Sequence, residues 1–130
     1  MTSAIYTSIG AFIIVWLSLH VIKIRTAKNI ILGDGEDDEL ITAIAAQMNA
    51  VEYIPIALLL LFALEYNHAH LILVHILGIA LIVGRIVHAK GLLSSVLKTR
   101  VLGMQITIWT IIALAVINIL YLLYELIFII

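Results

Sequence analysis

Residues 1–22 carry no formally charged side chain, and neither do residues 66–84 or 101–124; residues 40–64 carry one, Glu52. Each stretch is close to the ~20 apolar residues an α-helix needs to cross the hydrocarbon core of a bilayer. Four spans use about 80 residues, so a chain of 130 has only short connections left and no room for a soluble domain. Val, Ile and Leu dominate these stretches without the strict alternation of a membrane β-strand, which favours helices over a barrel. The expected fold is all-α, an integral membrane four-helix bundle running up-down-up-down, with residues 1–130 forming one domain. The composition agrees: 65% hydrophobic and 12% charged cannot cover a small soluble domain. Disorder and a basic nucleic-acid-binding face are excluded on the same grounds. With no cysteine, disulfides and thiolate metal sites are excluded too.

Orientation follows from the cations. Lys23, Arg25 and Lys28 follow the first span, and Arg85, Lys90, Lys98 and Arg100 surround the connection between the third and fourth. In an up-down-up-down bundle these two connections share one side, which the positive-inside rule makes cytoplasmic. Both termini then lie on the non-cytoplasmic side, with Tyr6, Tyr66, Tyr121 and Tyr124 near that interface as an aromatic belt. Met1-Thr2-Ser3-Ala4 lacks the basic start of a secretory signal, so the first span is read as retained. In the first basic connection, Gly33-Asp34-Gly35 signals a turn. The acidic run Glu36-Asp37-Asp38-Glu39 is read as capping and solvating the start of helix two.

The polar residues inside the spans carry the functional information. Glu52 lies 12 residues into the second span, roughly 18 Å along a helix. A carboxylate there must face the bundle interior, a neighbouring subunit or water, or be protonated. Asn49 shares its face and Tyr53 lies beside them, while Pro55 removes a backbone donor just beyond. The bland alternative is a patch of interhelical glue. On helix four, Arg100, Gly103, Thr107, Asn118, Tyr121 and Glu125 fall on one face, read as bonding across helices, with Arg100 inward-facing at its cytoplasmic start. On helix three, His75, Gly78, Ile82 and Arg85 share a face, with Gly78 permitting close approach. One small bundle has little interior, so Asn49, Glu52, Arg85 and Arg100 are expected at interfaces between subunits. The five histidines show no metal-ligand spacing, and no metal site is expected. No hydrolase triad, P-loop or dinucleotide fingerprint can be placed.

The segment Gln47-Met48-Asn49-Ala50-Val51-Glu52-Tyr53-Ile54-Pro55 resembles helix two of the MAPEG family, the membrane-associated proteins of eicosanoid and glutathione metabolism. Further segments resemble the bacterial branch of that family in order along the chain. They are Val21 to Arg25, Leu32-Gly33-Asp34-Gly35, Glu65, Gly84 to Gly91, and Arg100-Val101-Leu102-Gly103-Met104. The resemblance implies a homotrimer in the bacterial inner membrane that binds glutathione as co-substrate between subunits near the cytoplasmic side. By position it assigns Arg25, Gln47, Asn49, Glu52 and Tyr53 to the peptide part of glutathione. Arg85 and His88 would flank the tail of the site, and Arg100 would be the catalytic residue near the sulfur, with Thr99 the competing register. The sequence departs from the family where Ala45 replaces an Arg four residues before Asn49, a residue that would engage a glutathione carboxylate.

Three functions compete. The leading one is a glutathione-dependent transferase or peroxidase acting on apolar electrophiles or lipid hydroperoxides that enter from the membrane lipids. The second is a non-catalytic binding protein for a lipid or thiol, favoured by Ala45. The third, a small transporter coupled through Glu52, lacks any inverted-repeat signal.

Overall fold

The computed structural model describes residues 1–129. Among the described residues there are four α-helices, α1 (Ser3–Lys28), α2 (Asp38–Tyr66), α3 (Leu71–Leu93) and α4 (Leu97–Phe128). Each is long and apolar enough to cross a membrane. At 1.5 Å per residue they measure roughly 35 to 48 Å, more than the ~30 Å hydrocarbon core, so their ends reach the headgroup layers. The short connections make sequential helices antiparallel, which gives the up-down-up-down order. Hereafter the basic end holds the α1–α2 and α3–α4 connections, and the terminal end holds both termini.

The boundaries have local causes. Asn29 in the left-handed region closes α1, its N–H returning to the carbonyl of Arg25. Gly33 and Gly35 take φ of 73° and 59° in the turn that follows, where the Asp34 carboxylate accepts from the Glu36 N–H at 2.9 Å. Asp37 then caps α2, accepting from the Leu40 N–H, with Asp38 and Glu39 in the first turn. This is the capping role expected of the acidic run.

The third span is displaced from the uncharged stretch 66–84. Tyr66 ends α2, Asn67 caps it, and α3 starts only at Leu71, behind His70, whose Nδ1 accepts from the Ile72 N–H. A count of formal charge does not see neutral Asn67, His68 and His70, which form the turn. At its other end α3 continues through Arg85, His88 and Lys90 to Leu93.

Packing is tightest between α3 and α4. A Cβ on Gly91 would collide with the Arg100 backbone, and one on Gly103 with the His88 backbone, so the two helices meet backbone to backbone. Gly78 gives the close approach expected of it, to the ring of Tyr6 on α1, whose hydroxyl lies 2.6 Å from His75 Nδ1. Asn118 makes its cross-helix bond, donating from Nδ2 to the Leu60 carbonyl at 3.0 Å. The central core includes Leu17, Ile54, Leu61, Val74, Leu81 and Leu114. Helix α4 is the outermost: Gly103, Thr107, Thr110 and Leu114 are its buried residues.

Candidate ligand site at the basic end

Arg85 organises the interior of the basic half. It is 1% exposed, held where the glycine seam brings α4 against α3 and where α2 packs across both. One terminal nitrogen donates to Asn49 Oδ1 on α2, and the other to Thr107 Oγ1 on α4 at 3.4 Å. The Tyr53 ring lies 5.6 Å from the guanidinium carbon, within cation–π range. Thr107 passes its own hydrogen to the Gly103 carbonyl at 2.9 Å. Among the described residues the ion pairs join Glu65 to the terminal amine, and Lys28 to Asp37 and Glu39. The buried guanidinium is therefore held by neutral groups alone, and its Nε is unpaired.

His88, one turn along the same face, is 3% exposed. Its Nδ1 lies 3.0 Å from the Arg100 carbonyl oxygen. A carbonyl only accepts, so Nδ1 carries the hydrogen; in the neutral ring Nε2 is then a bare lone pair. That Nε2 is buried and unpaired.

Beside this pair a groove of about 520 Å³ runs along α4. Asn49, His88, Arg100 and Gln105 supply its polar groups. Val101, Met104, Ile108, Trp109 and Ile112 supply an apolar wall that leads toward the membrane centre. The volume falls in the range of small-molecule sites, and a few polar groups on an apolar wall is their usual composition. The polar groups suit an anionic, amide-bearing ligand: a guanidinium for an anionic group, two side-chain amides for peptide groups, and an imidazole.

The residues singled out by sequence divide into two sets. Asn49, Tyr53, Arg85, His88 and Arg100 come together within one chain. Arg25, Gln47 and Glu52 do not join them. Arg25 spans the α1–α2 connection, donating to the Gly33 carbonyl at 2.7 Å. Gln47 donates to Ser18 Oγ at 2.9 Å, tying α2 to α1.

Three expectations are corrected. Glu52 does not share a packed face with Asn49 and Tyr53: it is exposed on the outer face of α2, one of the placements open to it, because Asn49 and Tyr53 occupy the side turned to α3. Arg85 needs no second subunit to hide it, since Asn49, Thr107 and Tyr53 enclose it within the single chain. Arg100 is exposed rather than inward-facing: it lies in the first turn of α4, where its backbone meets α3 and its side chain is left on the groove wall. Ala45 is exposed on the same outer face as Glu52. Sequence reading passed over the groove wall itself, although Val101, Met104, Gln105, Ile108 and Ile112 recur at helical spacing.

Comparison with known proteins agrees with this architecture. The chain is 37% identical over 128 residues to "Inner membrane protein YecN" of Escherichia coli strain K12, covering 98% of each chain. It is equally similar to the protein of that name from Escherichia coli O6:H1 strain CFT073. The pattern of the MAPEG family matches residues 3–120, nearly the whole bundle and all of the groove. This multi-pass membrane protein belongs to the MAPEG family.

Proposed function

We propose that the protein is a glutathione-dependent transferase or peroxidase of the bacterial inner membrane, assembled as a homotrimer, that acts on apolar electrophiles or lipid hydroperoxides. The observation that carries this reading is the two-part groove: cationic and amide groups at the basic end, an apolar wall along the span. A charged thiol peptide arrives from the cytoplasm at one part, and an apolar acceptor partitions from lipid into the other. MAPEG membership supports glutathione as the thiol, and an inner-membrane relative supports the location.

Arg100 is the residue that activates the thiol. A free thiol has a pKa of about 8.5 and is mostly protonated at neutral pH, whereas its thiolate is the nucleophile. A guanidinium in a partly desolvated groove favours the anion, and two pKa units correspond to about 2.7 kcal/mol. Arg suits this role better than Lys, because its planar guanidinium can hold an anion through two parallel N–H groups. Asn49 and Gln105 orient the peptide. Glu52 is available on the outer surface to complete the site across a subunit boundary. An exposed carboxylate in mid-span is otherwise unfavourable in lipid.

The test is glutathione binding by calorimetry on detergent-purified protein, followed by turnover with a chromogenic electrophile. Binding with turnover supports the enzyme. Binding without turnover supports the second reading, a non-catalytic thiol-binding protein. One observation favours that second reading: at the position of the family Arg, Ala45 presents only a methyl group. Ala45→Arg is therefore expected to tighten binding of a carboxylate-bearing peptide, through a bidentate contact.

A further inference from the structure

Two buried polar atoms in the basic half have complementary vacancies. Arg85 Nε is a donor without an acceptor, and His88 Nε2 is an acceptor without a donor. They lie three residues apart on one face of α3. An unmet buried group of this kind is costly to the fold, because it has given up water without gaining a partner. The seam that hides them is built closely, so the cost is imposed by the fold rather than by loose packing. The His88 tautomer is fixed as well, because the Arg100 carbonyl can only hold an N–H. The protein thus keeps a dry lone pair on a ring that forms part of the groove wall.

We infer that His88 Nε2 is the acceptor of the thiol proton. The inference rests on the proposed thiol-binding reading of the groove and gives His88 a chemical role beyond flanking the ligand. The step balances simply. The S–H bond breaks, its electron pair stays on sulfur, and the proton moves to Nε2, giving a thiolate and an imidazolium. The thiolate attacks the carbon of an apolar electrophile and displaces an anionic leaving group, which takes the proton from Nε2. Thiol and electrophile become thioether and protonated leaving group, and His88 returns to its Nδ1–H form. The charged groups beside the ring are Arg85 on its own helix and Arg100 on α4; α2 contributes the uncharged Asn49 to the same groove. An imidazolium between two guanidiniums is tolerated only while a thiolate is present to offset it, which couples protonation of His88 to thiolate formation.

Two measurements on the intact protein decide the matter together: thiolate absorbance of bound glutathione, and proton release on binding from calorimetry in buffers of different ionisation heat. The wild type should show a thiolate signal near neutral pH with little proton release, because the proton stays on the protein. His88→Gln keeps an N–H for the Arg100 carbonyl but holds no basic nitrogen. Its thiolate should form with release of about one proton per ligand. S-methylglutathione, which has no S–H, should bind both proteins with equal affinity. A wild type that forms thiolate and releases about one proton overturns the role of His88 while leaving the thiol site standing. A wild type that binds neither ligand overturns the site and the role together. Should His88→Gln fail to fold, the wild-type proton count alone decides.

Discussion

The α3–α4 seam and the outer face of α2 handle polar groups in opposite ways. In the seam, Arg85 is surrounded by Asn49, Thr107 and Tyr53, and small residues let backbones close over it. On the outer face, Glu52 stands exposed among Ala45, Met48, Val51 and Ile56, with no hydrogen bond or ion pair among the described residues. The seam encloses its guanidinium within one chain. The outer face requires a second chain, water or protonation. The difference teaches where each kind of perturbation should act: changes in the seam should unfold the protomer, and changes on the α2 face should alter what the protomer meets.

The largest effect is expected at Gly103. A side chain there has nowhere to go but into the His88 backbone, and α3 cannot withdraw without uncovering Arg85. Gly103→Val should destabilise the protein by about 3 kcal/mol or more, the upper range for overpacking. Thermal unfolding in detergent reads this directly. A wild-type melting temperature would mean that the seam is much looser than described, and the contrast with α2 would fail.

A smaller but more informative change is Arg85→Met. It removes a buried charge together with its desolvation cost, but leaves Asn49 Oδ1 without its donor, a loss of about 1–3 kcal/mol. Arg85→Met with Asn49→Leu should recover most of that loss, since both ends of the bond are then apolar. Non-additivity in this double-mutant cycle measures the coupling. If the two changes simply add, the bond between Arg85 and Asn49 does not organise the site.

On the outer face, Glu52→Gln should leave protomer stability nearly unchanged. It is expected to weaken glutathione binding about tenfold, or ~1.4 kcal/mol, with the trimer intact by native mass spectrometry. Loss of thermal stability with no effect on the ligand would make Glu52 interhelical glue. Only monomers under mild detergent conditions would remove the subunit boundary from the site.

This division also explains what the sequence could reveal. Four spans, their order and the capped start of α2 were legible because uncharged length, cation placement and Asp37 are local signals. The end of α2 was not, because the neutral Asn67 and His68 make a turn that a charge count cannot see. Asn49 and Tyr53 were correctly grouped, yet Glu52 was grouped with them. Spacing fixes which residues are neighbours on a helix but not which side meets α3. The enclosure of Arg85 depended on glycines distant in sequence, Gly91 and Gly103, whose meaning appears only when α3 and α4 are placed together. The unpaired Nε2 of His88 was invisible for the same reason, since its tautomer is fixed by a carbonyl 12 residues away.

The smallest effect lies outside both regions, in the connection that joins α1 to the α2 face. The Lys28 ammonium bonds to the Asp37 carboxylate at 2.7 Å and to Glu39 at 2.8 Å. The Lys28 hydrogen bond, aided by the Leu40 N–H, holds the Asp37 carboxyl below its ordinary value of 3.8. A depressed carboxyl stabilises the fold fully above its unfolded pKa, and that contribution disappears as pH falls through the lower, folded value. The connection should therefore be unchanged down to about pH 4 and loosen below it, read as a loss of protection of the Leu40 amide relative to its intrinsic exchange rate at the same pH. Asp37→Asn separates the two roles of this side chain: Asn still caps the helix but cannot form the ion pair. It should exchange slightly faster than wild type at neutral pH, and its Leu40 amide should no longer respond to Asp37 protonation. Because the ion pair lies at the surface, added salt should shrink the wild-type advantage further. If the acid response persisted in Asp37→Asn, it would arise from another carboxylate, and Glu39 would be the group to replace.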